Sequence, residues 1–324
     1  MTRRGWLLFV AIWIIWGMPY LLIRVAVRDV EPGTLVFLRT GIGGLVLLPF
    51  VARLGGFGPA LRRWRPVVLF TIIEIAVPWL MLASAEQHLS SSVTAVLVSM
   101  VPIVGVVLAR VLGSAERATR LQWLGLVLGV AGVTLLVGLD VGTFSLLAVL
   151  EVGVVVVCYA VGPVIQARHL ADTPALPIVA ACLLLAATGY LPYAALHVPH
   201  SLSGTQVASL VALGVVCTAA AFVIFFALIA DIGPARATVI AQVNPAVAVL
   251  LGVVFLGEAF TRGMAVGFPM ILVGSVLAAR RAGGSAAAAD QSIRTVPVAV
   301  ANTAATSPVS SDGSSQSTST SSSG

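Results

Sequence analysis

Over its first 280 or so residues the chain alternates long apolar runs with short clusters of charge, proline and glycine. Cutting at those clusters leaves ten apolar segments, at 6–27, 33–52, 66–86, 91–112, 121–138, 144–166, 175–196, 206–229, 235–256 and 262–279. Stretches such as Val93–Ala109 and Ala237–Leu256 approach the ~20 residues that a helix needs to cross a hydrocarbon core. The pattern predicts an all-α integral membrane protein with ten transmembrane helices. From Gly283 onward the letters change to Ala, Ser, Thr and Gly, too little apolar surface to order a segment, and 283–324 is expected to be a disordered cytoplasmic tail.

The segments are not independent. Ser91 to Val133 reads as an apolar helix, a short charged hinge and a second apolar helix, and its skeleton returns 142 residues later. Glu116, Thr119, Arg120, Gly125 and Gly132 match Glu258, Thr261, Arg262, Gly267 and Gly274. With a slip of one residue, Pro102 matches Pro245, Trp16 matches Tyr159, Pro49 matches Pro192 and Trp79 matches Phe222. Two five-helix copies are therefore expected, at 1–140 and 141–282. An odd number of helices per copy turns the second copy upside down relative to the first. Such inverted repeats accompany alternating access, with a site near the midplane between the halves.

Composition supports the membrane reading and narrows what else is possible. The 324 residues are 59% apolar and only 9% charged, with a mean hydropathy of +1.07, which leaves too little charge to cover a water-facing globule. The net charge of +6 does not indicate nucleic acid as a partner, because the arginines stand at span ends rather than on one basic face. Arg3, Arg4, Arg53, Arg62, Arg63, Arg65, Arg110, Arg117, Arg120, Arg168, Arg236, Arg280 and Arg281 fall on one side, against Arg24, Arg28 and Arg262 on the other, and the positive-inside rule predicts both termini to be cytoplasmic, in the cell's inner membrane. The basic start followed by an apolar run at Trp6 is read as a retained first helix rather than a cleaved leader. Cys158, Cys182 and Cys217 lie inside apolar segments without metal-ligand spacing, so free thiols and no metal or cofactor are expected. The four histidines are scattered in loops. That disfavours an integral-membrane enzyme acting on a lipid-linked substrate, which needs clustered acids or His/Asp pairs.

Candidate chemistry lies where ionisable groups enter the bilayer at a cost. Glu74 sits eight residues in from Pro66, ~12 Å deep at a helical rise and close to the midplane. Desolvation there disfavours its charged form and poises it to carry a proton or meet the solute; the plainer alternative is a protonated carboxyl bonding a neighbouring helix. Glu151 and Arg39 each enter about five residues from the outer end of a helix, which permits an ion pair between the second and sixth segments, as an outer latch or a static pair, a snorkelling arginine being the other alternative. Trp13, Trp16 and Tyr20 share one face of the first helix, and Glu151, Cys158, Gly162 and Gln166 share one face of the sixth. With Trp79, Tyr159, Phe222, Pro102 and Asn244 they form the expected lining of a cavity for a small organic solute, helix packing being the alternative use. Pro102 and Asn244-Pro245 interrupt the backbone ladder near mid-membrane. Glu116 and Glu258, just before the fifth and tenth helices, are read as helix caps of their own hairpins.

Leu112-Gly-Ser-Ala-Glu-Arg followed by Gln122-Trp-Leu-Gly-Leu-Val-Leu-Gly-Val-Ala-Gly-Val, and again Val243-Asn-Pro-Ala, Leu256-Gly-Glu and Gly267 to Gly274, resemble the drug/metabolite transporter superfamily. The ten-helix EamA type is the most similar branch, and Trp16-Gly17 fits it too. The resemblance covers about residues 5–281 and implies helices 1–4 and 6–9 around a central cavity, with 5 and 10 outside. It also implies a secondary transporter of an amino acid, metabolite or drug-like compound, often proton-coupled and exporting; a facilitator or exchanger without proton coupling is the alternative. It supplies no coupling motif for Glu74, whose role rests on depth.

Overall fold

A computed structural model describes residues 2–111, 119–139, 145–199, 201–232 and 240–279. The hinge with Glu116 and the 283–324 tail lie outside the described residues. Helices account for nearly all of what is described, and no strand occurs there. In chain order they are α1 (Arg3–Ala26), α2 (Pro32–Arg53), α3 (Trp64–Ala85), α4 (Ser91–Val98 and Val101–Val111), α5 (Arg120–Leu139), α6 (Leu146–Leu170), α7 (Ala175–Leu196), α8 (Gly204–Asp231), α9 (Ile240–Leu256) and α10 (Arg262–Ala279). Seven are long and apolar enough to cross a membrane, namely α1 to α4 and α6 to α8, whereas α5, α9 and α10 offer shorter apolar stretches.

Local chemistry sets the helix starts. The Thr2 hydroxyl accepts from the Gly5 N–H at 2.8 Å, and Ser90 and Ser145 cap α4 and α6 in the same way. Pro32 begins α2, where its missing N–H costs no helical bond. Thr119 with Gln122, and Ser203 with Gln206, form reciprocal capping pairs that satisfy two otherwise orphaned donors each. Gly55 and Gly56 adopt positive φ of 91° and 81°, so the chain turns directly after α2.

Three helices widen into π geometry, α6 at its end (Gln166–Leu170) and α3 and α8 at matching places, Thr71–Ala76 and Ala212–Ala220. In α3 the cause is Pro78, which cannot donate to the Glu74 carbonyl one turn back and crowds it. In α8 the Thr218 hydroxyl donates to the Leu213 carbonyl, five residues back, at 2.8 Å and so bridges the wider turn. α4 is broken at Ser99–Met100, just before Pro102, and the freed Ser99 carbonyl accepts the Ser275 hydroxyl of α10 at 2.5 Å.

Packing runs mostly between the two halves of the chain. α5 lies on α10, α2 on α7, α1 on α8 and α9, α6 on α3 and α4, and α4 on α9. Exchanging each helix for its counterpart five places along maps this set onto itself. α5 and α10 run antiparallel at backbone contact: a Cβ on Gly125 would stand 2.6 Å from the Gly274 carbonyl oxygen, and one on Gly132 would stand 2.9 Å from that of Gly267. α2 and α7 are antiparallel as well, since Gly33 abuts Tyr193 while Gly44 abuts Leu184. Small residues of this kind let helices approach where lipid offers no hydrophobic drive to associate. The opposite faces are apolar and open, with Trp123, Val127 and Val130 of α5 and Leu250, Val254 and Phe255 of α9 all exposed, as a lipid-facing surface requires.

Candidate functional site

Glu74 lies in the π segment of α3 and points at α6. A Cβ on Gly162 would fall 1.7 Å from Glu74 Oε2, so only a glycine leaves room for the carboxyl there. That oxygen is buried and has no hydrogen-bond partner among the described residues. Cys158 and Tyr159, one turn before Gly162, are within electrostatic reach of Glu74. The two halves therefore meet at this carboxyl, with α3 supplying the acid and α6 its pocket.

Arg39 occupies the neighbouring position on α2. Its side chain is 6% exposed, its guanidinium carbon lies 3.6 Å from the Trp79 ring centroid, and Nε donates to the Thr218 hydroxyl at 3.1 Å. Stacking a weakly hydrated guanidinium on an indole compensates part of its desolvation. Tyr159 is within electrostatic reach of Arg39 as well as of Glu74, so an acid and a base flank one tyrosine. The expected ion pair between Arg39 and Glu151 does not form. Glu151 instead accepts the Ser84 hydroxyl of α3 at 2.7 Å, and no salt bridge joins the two among the described residues. The reason is that Trp79 and Thr218 hold Arg39 between α3 and α8, away from that hydroxyl.

The aromatic expectations divide. Trp16 meets Phe222 edge-on at 6.2 Å and Phe225 at 4.7 Å, and Phe222 stacks on Phe226 at 6.1 Å, joining α1 to α8. Trp79 and Tyr159 pack together beside Arg39. Trp13 Nε1 and Asn244 Oδ1 are buried without hydrogen-bond partners among the described residues, a donor and an acceptor left unsatisfied. Their helices α1 and α9 are in close contact through Gly17, which abuts Val247 and the Asn244 carbonyl. Tyr20 continues this face of α1 and lies within reach of Arg39 and Tyr159. Gln166 stands apart, exposed in the π-helical end of α6, and Pro102 belongs to the break in α4. Two surface pockets, of about 500 Å³ beside Arg62, Arg63 and Asp172 and about 340 Å³ beside Glu31, Ser84 and Tyr193, flank this layer rather than fill it.

Some polar groups that the hydropathy pattern passed over are placed here by the fold. Thr218 is one; its only sequence signal is a hydroxyl inside a long apolar run. Glu86, just past the end of α3, is fully buried. Glu258 corrects the reading of it as a cap of its own hairpin: it caps α4, in the other half, through Ser91 and Ser92. No group of three or more His, Cys, Asp or Glu is arranged for a metal among the described residues.

The family model described as the EamA-like transporter family matches residues 3–138 and again 146–280. The "Uncharacterized inner membrane transporter YedA" of Escherichia coli (strain K12) is 30% identical over 261 residues, covering 78% of this chain and 83% of that protein. The "Uncharacterized transporter YdfC" of Bacillus subtilis (strain 168) is 25% identical over 250 residues, covering 75% and 80%. A solved structure described as "Crystal structure of protein" superposes with a TM-score of 0.61 at 22% identity, covering 86% of this chain and 97% of that one, a likeness of fold.

Proposed function

The chain belongs to the EamA-like transporter family, and from that premise we propose that it exports a small organic solute across the inner membrane against an inward flow of protons. It is a membrane transporter and not an enzyme. The observation that carries the coupling is the Glu74 carboxyl, buried against Gly162 with Oε2 unpartnered. An unpaired carboxylate in such a place is far costlier than the neutral acid. It therefore holds its proton until water or a cationic group of the solute reaches it, and releases it on that side.

Ten crossings arranged as two inverted five-helix halves, with both termini cytoplasmic, complete the reading. The contact set that survives exchange of the halves, and the antiparallel pairing of the counterparts α2 with α7 and α5 with α10, support it. Alternating access then amounts to one half rocking on the other about the Glu74–Gly162 contact. The Trp16–Phe222 wall and the Arg39–Trp79 stack receive a solute with an apolar body and an anionic or polar end.

The test is transport in proteoliposomes carrying an imposed pH gradient, screened with a panel of labelled amino acids and organic cations. Glu74→Gln is expected to abolish gradient-driven movement while leaving downhill exchange. Equal gradient-driven rates in Glu74→Gln and the parent protein would exclude coupling at this residue and leave a facilitator or exchanger.

A further inference from the structure

We propose that Glu258 is a latch between the two halves at one end of the bundle, and that it stays closed only while Glu86 carries a proton. This rests on the alternating-access reading above and assigns a residue pair to one of its gates. The latch is well built. Glu258 Oε1 accepts from the Ser91 N–H at 2.7 Å and the Ser91 hydroxyl at 2.9 Å, and Oε2 accepts from the Ser92 N–H at 3.0 Å and the Ser92 hydroxyl at 2.5 Å. Gly257, at φ 65°, turns the chain after α9 so that Glu258 faces α4, and the Glu258 N–H returns to the Gly252 carbonyl at 3.2 Å. Gly252 itself is where a Cβ would stand 2.3 Å from the Ser92 hydroxyl and 2.4 Å from Glu258 Oε2. Both serines are completely buried, so the closed latch excludes water from the start of α4.

Behind it lies Glu86, just past the end of the α3 span. It is completely buried, and neither carboxyl oxygen has a hydrogen-bond partner among the described residues. Arg24 of α1 does not neutralise it by direct contact, because its guanidinium donates to the Glu86 backbone carbonyl. The charged or titratable groups facing Glu86 are Arg24 and Tyr20 from α1, Arg39 from α2 and Glu258 from the α9–α10 connection, while His88 in its own loop is exposed. Burial pushes the Glu86 carboxyl well above the ordinary carboxylate range, the Glu258 charge adds to that push, and Arg24 and Arg39 oppose it. The sign follows by linkage. The closed form holds the proton more tightly than an opened, hydrated form, so acid favours closure. Opening then grows as pH rises from the ordinary carboxylate range toward the raised value, by up to ~10-fold per pH unit for one proton. Ionised and enclosed, Glu86 would be a second buried negative charge within electrostatic reach of the Glu258 carboxylate, and parting the latch relieves that repulsion.

The experiment measures the latch without needing a transported solute. In the full chain, with Cys158, Cys182 and Cys217 replaced by alanine, spin labels go on His88→Cys and Phe260→Cys, both exposed positions in the two connections that the latch joins. Distance distributions are then read by pulsed electron resonance in lipid nanodiscs from pH 5 to pH 9, upward from the ordinary carboxylate range. The parent is expected to pass from a short to a longer population as pH rises. Glu86→Gln should keep the short population throughout, and Glu258→Ala the long one. A parent distribution that ignores pH, or an unchanged pH response in Glu86→Gln, overturns the proposal. Because no solute is involved, a pH-responsive distance together with unaltered Glu74→Gln transport would refute coupling at Glu74 and still support the latch.

Discussion

The π-helical stretches of α3 and α8 occupy matching places and carry opposite chemistry. At the offset that sets Trp79 on Phe222, Glu74 corresponds to Cys217, Arg39 to Cys182 and Glu86 to Ile229. Cys217 and Cys182 are buried free thiols within apolar clusters. The backbone distortion is thus a property of the repeated unit, whereas Glu74, Arg39 and Glu86 have no charged counterpart in the second half. What the second half contributes to the site is reception: Gly162 makes room for the carboxyl, and Thr218 accepts from the guanidinium. At this contact, one copy supplies the carboxyl and the guanidinium, and the other shapes their surroundings.

That division can be broken most severely at its contact point. Gly162→Val places a side chain where Glu74 Oε2 now lies, and is expected to abolish gradient-driven transport as completely as Glu74→Gln, measured in the same proteoliposomes. Moving the acid to the other half should not repair it. Glu74→Gln combined with Cys217→Glu buries a carboxyl with no glycine opposite it, and the variant should lose about 3–5 kcal/mol of stability, the scale for an uncompensated buried charge, read by thermal unfolding in detergent.

Smaller changes sharpen the comparison. Gly132→Val strikes the α5–α10 contact, where both helices are equally apolar. It should cost about 1–3 kcal/mol by overpacking, seen as a lower unfolding temperature with the apparent solute affinity of the surviving protein unchanged. Arg39→Lys keeps the charge but loses the planar stack on Trp79, and should weaken solute affinity by ~0.5–2 kcal/mol, roughly 2- to 30-fold in KM. Thr218→Val removes one hydrogen bond to Arg39 and should cost ~1 kcal/mol, about 5-fold in KM, the smallest of these effects.

How far the sequence reaches is shown by individual residues. Glu74 was legible because a carboxyl in mid-span is rare and its depth follows from a count of residues. Gly162 was placed on the lining face of the sixth helix, but its pairing with Glu74 was not legible, since nothing in the sequence says which residue a glycine makes room for. Arg39 was found by the same depth reasoning, but its expected mate Glu151 was wrong: equal depth on two helices says nothing about rotation around each axis, and Thr218 and Trp79 decided that. Glu258 was assigned to its own hairpin because local capping is the economical assumption, whereas the fold brings α4 of the other half to it.

By itself, then, the sequence determined that this is a helical membrane protein made of two related units, because a bilayer demands long apolar runs and a duplicated chain keeps its non-aliphatic landmarks. It also pointed to the family, through Leu112-Gly-Ser-Ala-Glu in the first copy, Leu256-Gly-Glu in the second and the glycine-rich helix after each. Only the tertiary structure decided which oxygen is left without a partner, which glycine receives a carboxyl and which helix end a distant glutamate closes. Those outcomes depend on helix rotation and on contacts between halves, set by side-chain packing at a scale finer than the 3.6-residue period along any one segment.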